Sequence, residues 1–160
     1  MRFVLAPLAA LMLATSASAQ VAPLTPTELG TLFCAATQSG DMSAIQPYIG
    51  DELDLAIARA EADSAVRQLE KPDEKPPLGD GVPWASYPDA ADDCTVIYVN
   101  DNATPTEVAI ARKYAGGADA DHQDVLLVTG TGPDIEIVDL RYADGTTLSQ
   151  FLADAVAQPN

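Results

Sequence analysis

Fourteen residues near the middle of the chain, Lys71–Trp84, read KPDEKPPLGDGVPW and hold four prolines and two glycines. Neither a helix nor a strand runs through such a stretch, because proline removes a backbone donor and glycine weakens any regular conformation. The hydrophobic period differs on its two sides, and this change limits the fold more than any other feature. Upstream, Thr25-Pro26-Thr27-Glu28 is a capping box with proline at the first helical position. Leu29, Leu32, Phe33 and Ala36 follow at helical spacing, up to Gly40. Asp41 can cap a short piece, Met42–Gln46, that Pro47 interrupts. Asp51–Glu70 is rich in strong helix formers, with Leu53, Ile57 and Ala60 as its apolar stripe. Downstream, Cys94–Asn100, Thr106–Tyr114, Asp124–Thr129 and Ile135–Tyr142 are β-branched and aromatic runs separated by turn residues. Connections this short require antiparallel hairpins. Thr146–Ala157 closes the chain as a helix with Leu148, Phe151, Leu152 and Ala155 on one side. The expected fold is a single α+β domain: N-terminal helices packed on a curved four-stranded antiparallel sheet, then a C-terminal helix. Too few residues follow the proline-rich segment for a second domain, so it reads as a long loop.

Met1–Ala19 stands outside this pattern. Arg2 precedes an apolar run too short to span a bilayer, and Ala17-Ser18-Ala19 ends it. Those are the parts of a secretory signal peptide cut before Gln20, with Gln20–Asn160 as the domain. A periplasmic or secreted location follows. In an oxidising compartment the two cysteines, Cys34 and Cys94, pair as a disulfide; the other reading is two free thiols. They lie about sixty positions apart, and closing a loop of that length stabilises a domain by about 4 kcal/mol on the chain-entropy model. The share of Leu, Ile, Val and Phe lies just above the level at which strongly charged chains stay unfolded, so this contribution matters.

Eight basic residues against 24 acidic ones give a formal net charge of −16. No basic face can be assembled for nucleic acid, and an anionic membrane surface is equally disfavoured. A soluble protein of a salty medium carries such a surface, and so does a partner for a basic protein. No phosphate-binding loop, dinucleotide-binding glycine pattern or zinc-protease motif occurs, so no cofactor is expected. Two cysteines and one histidine cannot make a four-ligand zinc site. Asp119, Asp121 and Asp124 are spaced like calcium ligands but lack the glycine and the closing glutamate of an EF-hand loop. They read as an acidic hairpin tip, with no metal. His122, the one histidine, sits in the same polar segment and reads as a solvated loop residue rather than a general base.

The candidate site residues are Trp84, Tyr87, Arg112, Asp139 and Arg141. By period two, Asp139 and Arg141 share a face with Ile135 and Ile137, and Arg112 aligns with Val108 and Ile110. If those faces line a cavity, Asp139 is either a buried partner of Arg141 or a general base with a raised pKa. Trp84 and Tyr87 either line the mouth of that cavity or plug the core beside the disulfide.

Trp84-Ala-Ser-Tyr87-Pro88-Asp89 followed by Cys94, and Ile135–Gly145 with Leu148 and Phe151-Leu152 after it, resemble a family of secreted bacterial proteins. Gly40-Asp41 and Asp51–Leu55 add to the resemblance. That family is similar in turn to the nuclear transport factor 2-like fold, a cone of helices against a curved antiparallel sheet. The resemblance implies the fold and no activity, since the family has no established catalytic set. Cone folds of this kind include enzymes and binding modules alike. Three functions are therefore expected in order: a non-catalytic module binding a small molecule or a protein partner, with a homodimer through the sheet as one arrangement; a small acid/base enzyme using Asp139 with Arg141 or Tyr87; and an inhibitor or immunity-type protein for a basic partner.

Overall fold

The computed structural model describes residues 23–87, 89–115 and 122–157. The leader read over Met1–Ala19 lies outside them, as do Asp119 and Asp121.

The first helix, α1 (Pro26–Ser39), starts at the expected box. The Thr25 hydroxyl accepts from the Glu28 amide at 3.2 Å, and the Glu28 carboxylate accepts from the Thr25 amide at 2.8 Å. That backbone hydrogen bond, with the one from the Thr25 hydroxyl, holds the Glu28 carboxyl below its ordinary value. Gly40 ends the helix at φ 74°. The short piece before Pro47 resolves into two 3₁₀ turns, Met42–Ala44 and Gln46–Tyr48. The second long helix, α2 (Asp51–Glu70), has no side-chain cap; Asp51, Glu52 and Asp54 in its first turn answer the helix dipole instead.

Four strands follow: β1 (Asp93–Asn100), β2 (Thr106–Lys113), β3 (His122–Thr129) and β4 (Glu136–Arg141). They form one antiparallel sheet in sequence order. The last helix, α3 (Leu148–Ala157), is preceded by a second capping box. There Thr147 accepts from the Gln150 amide, and the Gln150 side chain accepts from the Thr147 amide. Val108, Ile110, Leu126, Val128 and Leu140 face the helices and are buried. Among the contacts, α1 lies across β1 and β2, while α2 and α3 pack on each other and on β4.

Both edge strands are bulged. The register slips at Val96/Tyr98 in β1, and in β4 Leu127 opposes Asp139 while Val128 opposes Ile137. Val138 is thus the unpaired extra residue, which shifts the side-chain phase by one position. Ile137 and Leu140 both point at the core. Asp139 and Arg141 move to the opposite face, against the period-two expectation that grouped them with Ile135 and Ile137.

Cys34 of α1 and Cys94 of β1 form the disulfide, with Cα atoms 5.3 Å apart. The helix can approach the sheet this closely because Gly30 has no side chain: a Cβ there would lie 2.7 Å from Val96 Cγ2 and 2.8 Å from Val108 Cγ1. Two outcomes follow. Gly30→Ala raises helix propensity by about 1 kcal/mol, yet overpacking against two stiff valines costs about 1–3 kcal/mol. Urea denaturation should therefore show net destabilisation. Replacing both cysteines with serine should lower the unfolding free energy by about 4 kcal/mol, measured the same way.

Candidate functional site

Arg112 continues the inward phase of Val108 and Ile110 on β2, and its side chain is 2% exposed. A guanidinium in that position must have its charge met inside the protein. Asp124 on β3, fully buried, supplies the countercharge: Arg112 Nε donates to its Oδ2 at 3.0 Å. Arg112 Nη1 donates to Thr37 Oγ1 at 3.1 Å, and Nη2 donates to the Trp84 carbonyl at 2.9 Å. The guanidinium also stands 5.6 Å from the centre of the Phe33 ring. One side chain thereby ties the end of α1 and the proline-rich loop to the sheet.

Asp124 fastens the same loop from the other side. It accepts from the Ser86 amide at 3.3 Å and from the Ser86 hydroxyl. The Ser86 oxygen in turn accepts from the Ala143 amide at 2.8 Å. Tyr142 donates its hydroxyl to the Pro83 carbonyl at 2.7 Å; burial first, then the Asp124, Asp139 and Asp144 carboxylates, push its pKa above the ordinary tyrosine value. Farther back, the Leu78 amide donates to Ser64 Oγ of α2 at 3.2 Å.

Held this way, the loop forms one wall of a groove of about 680 Å³. The other walls are the end of α1, the 3₁₀ turns, the Asp54–Ile57–Glu61 face of α2, and Phe151 of α3. Trp84, Tyr87 and Arg112 all line it. Trp84 also reaches inward, with its ring edge-on to Phe33 at 6.1 Å, so it both packs on the core and faces the groove. Tyr87 is 38% exposed. Its ring stacks on His122 at 5.6 Å and meets Tyr114 edge-on at 4.9 Å. His122 is therefore the first residue of a strand, half-buried in an aromatic cluster, rather than a solvated loop histidine. Among the described residues the Tyr114 hydroxyl has no hydrogen-bond partner; burial, only partly offset by the Arg112 charge, raises its pKa.

Asp139 and Arg141 lie off the groove. Both Asp139 oxygens are used at the N-terminus of α3, accepting from the Ser149 amide at 3.1 Å and its hydroxyl at 2.5 Å. Arg141 pairs with Glu107 of β2 at 2.8 Å, not with Asp139. Its hydrogen bond, with one from Asn100, keeps the Glu107 carboxyl below the ordinary value. The five sequence candidates thus separate into three on the groove and two on the outer sheet face. Asp124 and Ser86 were missed. Asp124 keeps the inward phase of Leu126 and Val128, and an acid in that phase beside an inward arginine on the next strand was the available signal. Ser86 carried none.

No protein-family model, curated protein or solved structure matches the chain.

Removing one member of a buried pair strands the other charge, at a cost of about 3–5 kcal/mol. Asp124→Asn should therefore destabilise the fold by that amount in urea denaturation. The double variant Arg112→Met/Asp124→Leu should recover only part of the loss, because the Trp84 carbonyl and the Ser86 amide stay without their partners. Near-neutral behaviour of the single variant would contradict the assignment.

Proposed function

We propose that the chain is an exported, non-catalytic binding module that takes a small molecule in the groove between α2 and the proline-rich loop. Helices packed on one face of a four-stranded antiparallel sheet support reading it as a relative of the nuclear transport factor 2-like cone, from which its helix order differs. The disulfide supports a periplasmic or secreted location, with Met1–Ala19 as the signal peptide.

One observation carries the choice of binding over catalysis. Asp139 and Arg141, the charged residues that the acid/base reading needs, and Arg112 beside the groove are already engaged. Arg112 is held by Asp124, Thr37 and the Trp84 carbonyl, and Asp139 is held by Ser149 away from the groove. The carboxylates that do line the groove, Asp54, Glu61, Asp80 and Asp89, sit at exposed positions on its rim, in contact with solvent. What remains is an aromatic and aliphatic wall of the size that holds a small organic ligand.

Native mass spectrometry of protein taken from its own compartment tests this. A chain beginning at Gln20 and carrying a small-molecule adduct is expected, with the adduct lost in Trp84→Ala and released chemically unchanged. A chain that retains its leader would contradict cleavage before Gln20, and turnover of the bound compound would contradict the non-catalytic reading. An adduct unaffected by Trp84→Ala would place binding elsewhere.

A further inference from the structure

Of the groove's four carboxylates, Asp54, Glu61 and Asp89 meet no basic residue among the described residues. Asp54 and Glu61 stand seven positions apart on one face of α2, and Asp80 and Asp89 approach from the loop. Arg112 is the basic residue in the lining, and its charge is met by Asp124 behind it. Lys75 reaches Asp80, and among the described residues Asp54 accepts only from the neutral Gln46 amide, at 2.7 Å. Glu61 and Asp89 make no ion pair or hydrogen bond among the described residues. The other described cations are engaged away from the groove: Arg67 with Asp63, Lys71 with Glu74, Lys113 with Asp93, and Arg141 with Glu107. Arg59 remains, but it lies two positions from both Ile57 and Glu61 on α2, and helical residues so spaced do not share a face.

A negative field thus gathers over a partly enclosed wall of Trp84, Ile57, Met42 and Phe151. A neutral ligand would leave the field unused, and an anion would meet it as repulsion. An ammonium or quaternary nitrogen gains from the carboxylates and from the face of an aromatic ring, while its hydrocarbon body covers the apolar wall. The volume of about 680 Å³ suits a compact molecule. We infer that the groove selects a small organic cation with an apolar body, the charge met by Glu61 and Asp89 and the body laid along Trp84. This inference rests on the binding reading above and names the ligand class for the same site.

Trp84 is the chain's one tryptophan, so its fluorescence reports on the groove wall. Three probes of similar shape separate charge from shape: phenethylammonium, 2-phenylethanol and 3-phenylpropanoate, each titrated into the full disulfide-bonded chain. The cation should bind roughly ten-fold or more tighter than the alcohol at low salt, and the gap should narrow in high salt. In Glu61→Gln/Asp89→Asn, two exposed positions whose neutralisation should leave the thermal melt unchanged, the cation's advantage should fall by about ten-fold, with the alcohol unaffected. Equal binding of the alcohol, or tighter binding of the carboxylate, would overturn the cation assignment while leaving the groove as a binding site. If none of the three probes perturbs Trp84, the cation assignment also falls. The adduct measurement above then decides the binding reading separately.

Discussion

The Arg112–Asp124 pair is the constraint from which the rest of the architecture follows. Two opposite charges at 3.0 Å, both nearly or wholly removed from water, are costly to bury and are tolerated only when their remaining donors and acceptors are also satisfied. Here those remaining partners are Thr37, Trp84 and Ser86, drawn from α1 and from a loop with no regular structure of its own. Desolvating the pair therefore requires the loop to be in place, and placing the loop creates the groove. A hydrophobic pair at the same positions could fill the space but would leave the Trp84 carbonyl and the Ser86 amide without those partners.

The chain's composition makes such devices necessary. Its apolar content is modest and its net charge of −16 works against compaction. The disulfide constrains the unfolded chain between α1 and β1, the two capping boxes fix helix starts, and the polar clamp orders a segment that apolar burial alone would not hold. Acidic residues are left on the surface, and where they border the groove, their charge becomes a property of the site. On the proposed binding reading, recognition draws on these same carboxylates.

Helices, strands and the Cys34–Cys94 connection were legible because each rests on local chemistry: a capping box, a period, a proline. The ends moved by a residue or two, as at His122, which joins β3 by pairing with Arg112. The site was legible only in part. Arg112 was placed by its phase with Val108 and Ile110, but the bulge at Val138 is invisible to alternation, and it carried Asp139 and Arg141 to the other face. Asp124 looked like one of three loop acids because its neighbours are acidic; its partner lies twelve positions back on the adjacent strand. Long-range pairing of this kind leaves no periodic mark. Trp84 and Tyr87 stood out as aromatics beside a proline-rich loop, and Trp84 combines the two roles expected of it, packing on the core while facing the groove.

Residue-resolved amide hydrogen exchange, comparing the native chain with Asp124→Asn, tests most directly whether the buried pair builds the groove. Protection of the Ser86 amide in the native chain, lost in the variant while Val108 and Leu126 in the sheet stay protected, is the result this account predicts. Undiminished protection at Ser86 in the variant, or an even loss across loop and sheet, would mean that the loop is held by something else.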